Sequence, residues 1–139
     1  MDPSFFGSWK LDQTKSTGVE QLGKALGMDD DKIQLFKNMV YTYTIVPEGN
    51  GYRITTEFEG GIPKQELVIN IGQAQEYTTL DGEKAKITVN INGKAVVENH
   101  DVLSKNHKLV VTRTVNGNIM SLAIEASGVV ATAALNRIS

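Results

Sequence analysis

Apolar residues change their spacing twice along this chain. From Phe5 to Gln13 an apolar-rich run, Phe5-Phe6-Gly7-Ser8-Trp9-Lys10-Leu11, reads as a first strand. Val19, Leu22 and Leu26 then recur at helical spacing, and Ile33, Phe36 and Val40 form a second such stripe. The two stripes predict a helix-turn-helix over about residues 16–38. Thr17-Gly18-Val19-Glu20 has the spacing of a capping box, and Gly27 stands where a left-handed C-terminal cap belongs. Asp29-Asp30-Asp31 opens the second helix at the positive end of its dipole. Helices this short are not stable alone in water, so they must pack on a sheet.

From Val40 onward the period is two. Tyr41, Tyr43 and Ile45 alternate, and Pro47-Glu48-Gly49-Asn50-Gly51 turns the chain into Tyr52, Ile54, Thr56 and Phe58. Gly60-Gly61-Ile62-Pro63 breaks the run, and Leu67, Ile69 and Ile71 form the next inward set. After the polar break Gly72-Gln73-Ala74-Gln75 comes a short strand around Glu76 to Leu80. Asp81-Gly82, Asn92-Gly93, Ser104-Lys105-Asn106, Asn116-Gly117 and Ser127-Gly128 then separate the remaining strands. Asn116-Gly117 is the cleanest two-residue hairpin signal among them. Ten short strands joined by hairpin-length turns predict an antiparallel up-and-down meander. Closing it into a barrel hides the two edges, and a barrel of this many strands is too wide for side chains to fill. A mainly β, ten-stranded barrel capped by a helical lid and enclosing a ligand cavity is the expectation.

Length makes this one domain, residues 1–139, large enough for a real core. Fourteen Lys+Arg against 16 Asp+Glu offer no basic footprint for nucleic acid. The chain has no cysteine, which excludes disulfides, zinc–thiolate sites and thiol nucleophiles. The N-terminal residues lack a basic region followed by an apolar one, so no signal peptide is read, and no apolar run approaches membrane-spanning length. A cytoplasmic monomer without cofactor or metal is expected.

Three stretches carry a family resemblance over nearly the whole length. They are Phe6-Gly7-Ser8-Trp9-Lys10-Leu11 with Leu22 to Gly27, then Gly72 to Lys84, then the last three strands around Leu109-Val110-Val111-Thr112-Arg113. In order and at this spacing the chain resembles the intracellular lipid-binding proteins, the cytosolic fatty-acid- and retinoid-binding family. The resemblance implies a ten-stranded barrel under a helix-turn-helix, with a gap between the fourth and fifth strands. It also implies a carboxylate clamp of two anchors. One, an arginine in the eighth strand, aligns with Arg113. The other, an Arg-x-Tyr pair in the last strand, is replaced by Ala133 and Leu135.

Arg113 is the most informative residue. Leu109, Val111, Arg113 and Val115 share the apolar face of their strand, which points the guanidinium inward, where it needs an anion. A ligand carboxylate gripped by its planar fork is one answer, and an inward glutamate is another. Glu98 and His100 align with inward polar positions of the family's seventh strand, although Val96-Val97 blurs the alternation there. Tyr41, Tyr52, Thr56 and Phe58 are further candidates for the cavity wall, as are Met120, Leu122 and Leu135. Val19, Leu22, Leu26, Ile33 and Phe36 form the underside of the lid, which would gate a small hydrophobic ligand. Lys24, Lys32 and Lys37 are candidates for transient membrane contact through that lid.

The expected function is a non-enzymatic carrier of long-chain fatty acids or similar ligands, with Arg113 as head-group anchor. In an alternative, Arg113 pairs internally with Glu98 and the cargo is a retinoid or other neutral molecule. A third reading is an enzyme using His100, or His107, with Glu98 as acid and base.

Overall fold

The computed structural model describes residues 1–80 and 82–139; Asp81 of the expected Asp81-Gly82 turn lies outside the described residues. A 3-10 turn, Pro3–Phe5, leads into strand β1, Gly7–Thr17. Helices α1, Val19–Ala25, and α2, Asp30–Asn38, follow. Nine further strands follow among the described residues. They are β2 Tyr41–Glu48, β3 Gly51–Phe58, β4 Gln65–Asn70, β5 Gln75–Thr78, β6 Lys84–Asn92, β7 Ala95–Val102, β8 His107–Asn116, β9 Ile119–Ala126 and β10 Val129–Arg137.

All ten strands form one antiparallel sheet in the order β4-β3-β2-β1-β10-β9-β8-β7-β6-β5. Sequence neighbours pair except β4 with β5, and β1 meets β10 to join the two ends of the chain. Closure is incomplete, because β4 and β5 lie side by side without a backbone ladder. The side-chain amide of Gln75 spans that seam: it accepts from the Asn70 N–H at 2.7 Å and donates to the Val68 carbonyl. The fully paired closure that would hide both edges is therefore replaced at one seam by a side chain.

Alternation along the strands sets the two faces. On β6, Ala85, Ile87 and Val89 are buried while Lys84, Lys86 and Asn90 face water. On β7 the ambiguity around Val96-Val97 is resolved, with Val96 and Glu98 buried and Asn99 exposed. The end of the barrel away from the lid is packed around Trp9, whose indole N–H donates to the Phe5 carbonyl at 3.0 Å. Arg137 lies over the Trp9 ring at 4.1 Å and donates to the Phe6 and Ser4 carbonyls, tying both chain ends there.

Two local expectations give way to tertiary pairing. The capping box is not formed: Gly18 is the N-cap of α1, at φ 73, with no side-chain cap. Thr17 instead stays in β1 opposite Thr132, hydroxyl to hydroxyl, so the lid starts at Val19 rather than residue 16. Gly18 also allows β10 to come close, since a Cβ there would sit 2.6 Å from the Val130 carbonyl oxygen. Val40 does not extend the second stripe, because α2 ends at Asn38; Met39 is buried in its place.

Other terminal signals hold. Gly27, at φ 72, closes α1 with its N–H to the Lys24 carbonyl, while the Met28 N–H reaches the Gly23 carbonyl. Asp29 caps α2 by accepting from the Lys32 N–H at 2.9 Å.

The two helices touch where Gly23 faces Ile33: a Cβ on Gly23 would stand 2.7 Å from Ile33 Cγ1. Gly23→Val should therefore part the helices and cost about 1–3 kcal/mol, typical of overpacking. Urea denaturation should show this as a lower midpoint, and pairing the change with Ile33→Ala should make the two effects less than additive.

Candidate ligand-binding site

A cavity of about 390 Å³ lies between the lid and the lid-side half of the barrel. Its roof contains all five apolar lid positions, Val19, Leu22, Leu26, Ile33 and Phe36. Its walls include Tyr41, Tyr77, His100, Leu109, Ile124 and Ala133. Glu83, Lys105 and His107 are its charged or titratable groups toward the strand turns, with Lys105 3.8 Å from Glu83.

Register along β7 and β8 gives the depth of each group. His100 stands opposite Leu109 on the cavity wall, Glu98 opposite Val111 one step lower, and Arg113 opposite Val96 lower still. Alternation puts all of them on the inner face. The result is a continuous polar chain across the barrel interior. Tyr77 Oη is 2.7 Å from His100 Nδ1, and His100 Nε2 is 2.9 Å from Glu98 Oε1. The other Glu98 oxygen accepts from Arg113 Nε at 2.7 Å. The guanidinium lies 4.8 Å from the Tyr43 ring centre and 3.8 Å from Met120 Sδ. Tyr41, on the cavity side, packs against Tyr43 at 4.8 Å between ring centres and edge-on against Phe58 at 6.2 Å.

Burial alone would push the Glu98 carboxyl up. The Arg113 guanidinium and the His100 hydrogen bond outweigh it and bring Glu98 down to about 2. Burial disfavours the Arg113 charge too, yet Glu98 holds that group well above its usual range. Desolvation, helped by the Glu98 charge, pushes the Tyr77 phenol up to about 12. Tyr41 is likewise held well above the usual phenol range by burial and by Tyr43. The pair is thus an ionised, mutually neutralising couple, and the two phenols stay protonated.

The expected site residues divide by depth. Tyr41 and His100 line the cavity, whereas Arg113 and Glu98 are buried below it. Tyr52, Met120, Leu122 and Leu135 belong to the core of the lower half. Thr56 is half-buried opposite Tyr43, and Phe58 backs Tyr41. Among the two last-strand positions that differ from the family, Ala133 lines the cavity while Leu135 is fully buried beside Met120. Sequence reasoning missed Tyr77, Met28 and Met39 as wall residues. Tyr77 had a weak signal: it is the one aromatic of a short polar strand, in phase with Gln75 and Thr79. Among the described residues, no three His, Asp or Glu side chains are grouped to hold a metal ion. No described helix is long and apolar enough to cross a membrane.

No family model matches the chain. A liver-type fatty acid-binding protein from Takifugu rubripes is 30% identical over 86 residues, spanning 62% of this chain and 67% of the relative. The chain belongs to the intracellular lipid-binding family. Solved structures agree on its fold. A Schistosoma mansoni fatty acid binding protein in complex with arachidonic acid superposes with a TM-score of 0.88 at 22% identity, covering 99% of this chain and 98% of that one. Secretory abundant heat soluble protein 4 from Ramazzottius varieornatus gives 0.90 at 20% identity, covering 100% and 98%. At these identities the likeness shows the fold of this family, a barrel that also serves proteins known by other names.

Glu98 sets a pH dependence. Its folded value lies below the ordinary carboxyl value of 4.5, so its stabilisation is complete above that pH and lost as pH falls toward about 2. Urea unfolding across that interval should show stability falling with acid, and Glu98→Gln should flatten the decline. At neutral pH the same substitution leaves Arg113 buried without its counter-charge and should cost about 3–5 kcal/mol.

Proposed function

We propose that this protein is a non-enzymatic carrier that holds a long-chain fatty acid, or a similar apolar chain, in the cavity beneath its lid. One observation carries the reading: an apolar chamber of about 390 Å³ roofed by two helices too short to be stable unaided. Each methylene moved into it contributes up to about 0.8 kcal/mol, so ten or so offset the roughly 8 kcal/mol of a micromolar complex before entropic costs. The Takifugu rubripes relative is a fatty acid-binding protein, and the Schistosoma mansoni structure holds arachidonic acid, which supports the same class of cargo here. A carrier without chemistry is supported by the placement of Glu98, which is paired with Arg113 and His100 and lies outside the cavity lining. A cytoplasmic monomer belongs to this reading, as does brief membrane contact through the exposed Leu35 of α2 and the neighbouring Lys37. Delipidated protein should bind a fluorescent fatty acid saturably and release it to oleate at micromolar concentration; no saturable signal would overturn the proposal.

The head group admits two readings. In one, the carboxylate reaches Arg113, whose Nη1 lies 3.8 Å from Met120 Sδ and whose Cζ lies 4.8 Å from the Tyr43 ring centre. The 2.7 Å Arg113–Glu98 pair favours the other, in which the guanidinium is answered internally and the cargo is neutral. Converting both together, Arg113→Met with Glu98→Gln, removes both charges without stranding either one. Oleate affinity should stay within about threefold if the pair is internal, and fall tenfold or more if Arg113 is the anchor, because a charge-assisted hydrogen bond is worth about 1.5–3 kcal/mol.

A further inference from the structure

We propose that the cavity prefers long chains ending in a neutral hydrogen-bond donor, an alcohol or an amide N–H, over the matching carboxylate or ester, with the Tyr77 oxygen as the acceptor. This rests on the carrier reading and names the head group that reading leaves open. It follows from tracing each proton along the buried chain. Arg113 has donors only, and it takes one oxygen of Glu98. Glu98, ionised, has no proton to give, so the contact between its second oxygen and His100 requires the proton to sit on Nε2. In the neutral ring Nδ1 is then bare and must accept. Its partner at 2.7 Å is the Tyr77 hydroxyl, which therefore donates to His100 and has no proton left for a ligand.

Tyr77 has one proton, and His100 holds it. What the Tyr77 oxygen can offer a ligand is lone pairs, and desolvation keeps the phenol from ionising. An incoming alcohol can donate to that oxygen. A carboxylate brings only acceptors. An ester has the chain but nothing to donate. Thus a guanidinium buried below the cavity acts on the polarity of its wall through Glu98, His100 and Tyr77. Of the charged and phenolic groups around it, Lys105 is paired with Glu83 toward the strand turns, and Tyr41 sits with Tyr43 on the opposite strands.

The test is displacement of Nile red from delipidated protein by oleyl alcohol, oleate and methyl oleate, which share one chain. Oleyl alcohol should bind about two- to tenfold tighter than the other two, the worth of one hydrogen bond. Tyr77→Phe should bring the alcohol to the affinity of the ester while leaving the ester unchanged. His100→Phe removes the acceptor of the Tyr77 proton and frees that proton to point inward. The rank order should then move toward methyl oleate and oleate, which a merely loosened wall would not produce. Equal binding of all three, or oleate tightest, overturns the proposal and leaves the carrier reading standing. Failure of all three to displace the probe overturns both.

Discussion

A guanidinium and a carboxylate sit together in the interior of this barrel, and much of the structure exists to keep them there. Neither charge is tolerable alone among apolar side chains. Their mutual neutralisation takes one donor of Arg113 and one oxygen of Glu98, leaving a second oxygen that also demands a donor. His100 supplies it, Tyr77 satisfies His100, and Tyr43 covers the face of the guanidinium. No described buried side-chain polar atom is left without a partner. Removing any member strands the next, so the set behaves as one unit rather than as separate contacts.

The pair also divides the interior. Below it the barrel is filled by large side chains, Trp9, Tyr52, Ile45 and Leu135 among them. Above it the wall residues are spread apart, and the lid contributes Leu22 and Leu26 packed on Ala126 and Ala131 of the β9–β10 hairpin. Small residues on that hairpin let α1 lie close, and Gly23 lets α2 lie close to α1. The roof is thus held by a few apolar contacts and no strand pairing, while the floor is held by the whole sheet. Such a distribution places the weakest part of the molecule over its cavity.

Much of this was legible in the residue pattern, for reasons that can be stated. Asn116-Gly117 and the other turn signals gave the strand count because a two-residue turn leaves few alternatives. The inward direction of Arg113 came from Val111 and Val115 on either side. Depth was not legible: Leu135 and Ala133 alternate identically, yet one is at the core and the other on the cavity wall. Period two says which face a residue takes and nothing about how far along the barrel axis it lies. Thr17 misled for a different reason. Its local capping pattern was genuine, but its partner, Thr132, lies at the other end of the chain, and long-range pairing won. Tyr77 was overlooked because a strand of four residues gives alternation too little length to show.

One feature of the rim has a mechanical meaning. Nine of the seams between the described neighbouring strands are stitched by backbone ladders, which fix the distance between strands to within a fraction of an ångström. The tenth is spanned by a side chain, Gln75, with rotatable bonds between its amide and its own backbone. The circumference of the barrel is therefore adjustable at a single place. A bulkier occupant can be accommodated there by rotamer change, at a cost of about 0.5–1.5 kcal/mol for each of two hydrogen bonds, with every ladder left intact. The sheet is a hoop with one elastic link, and the size of what it can enclose is set by the reach of one glutamine.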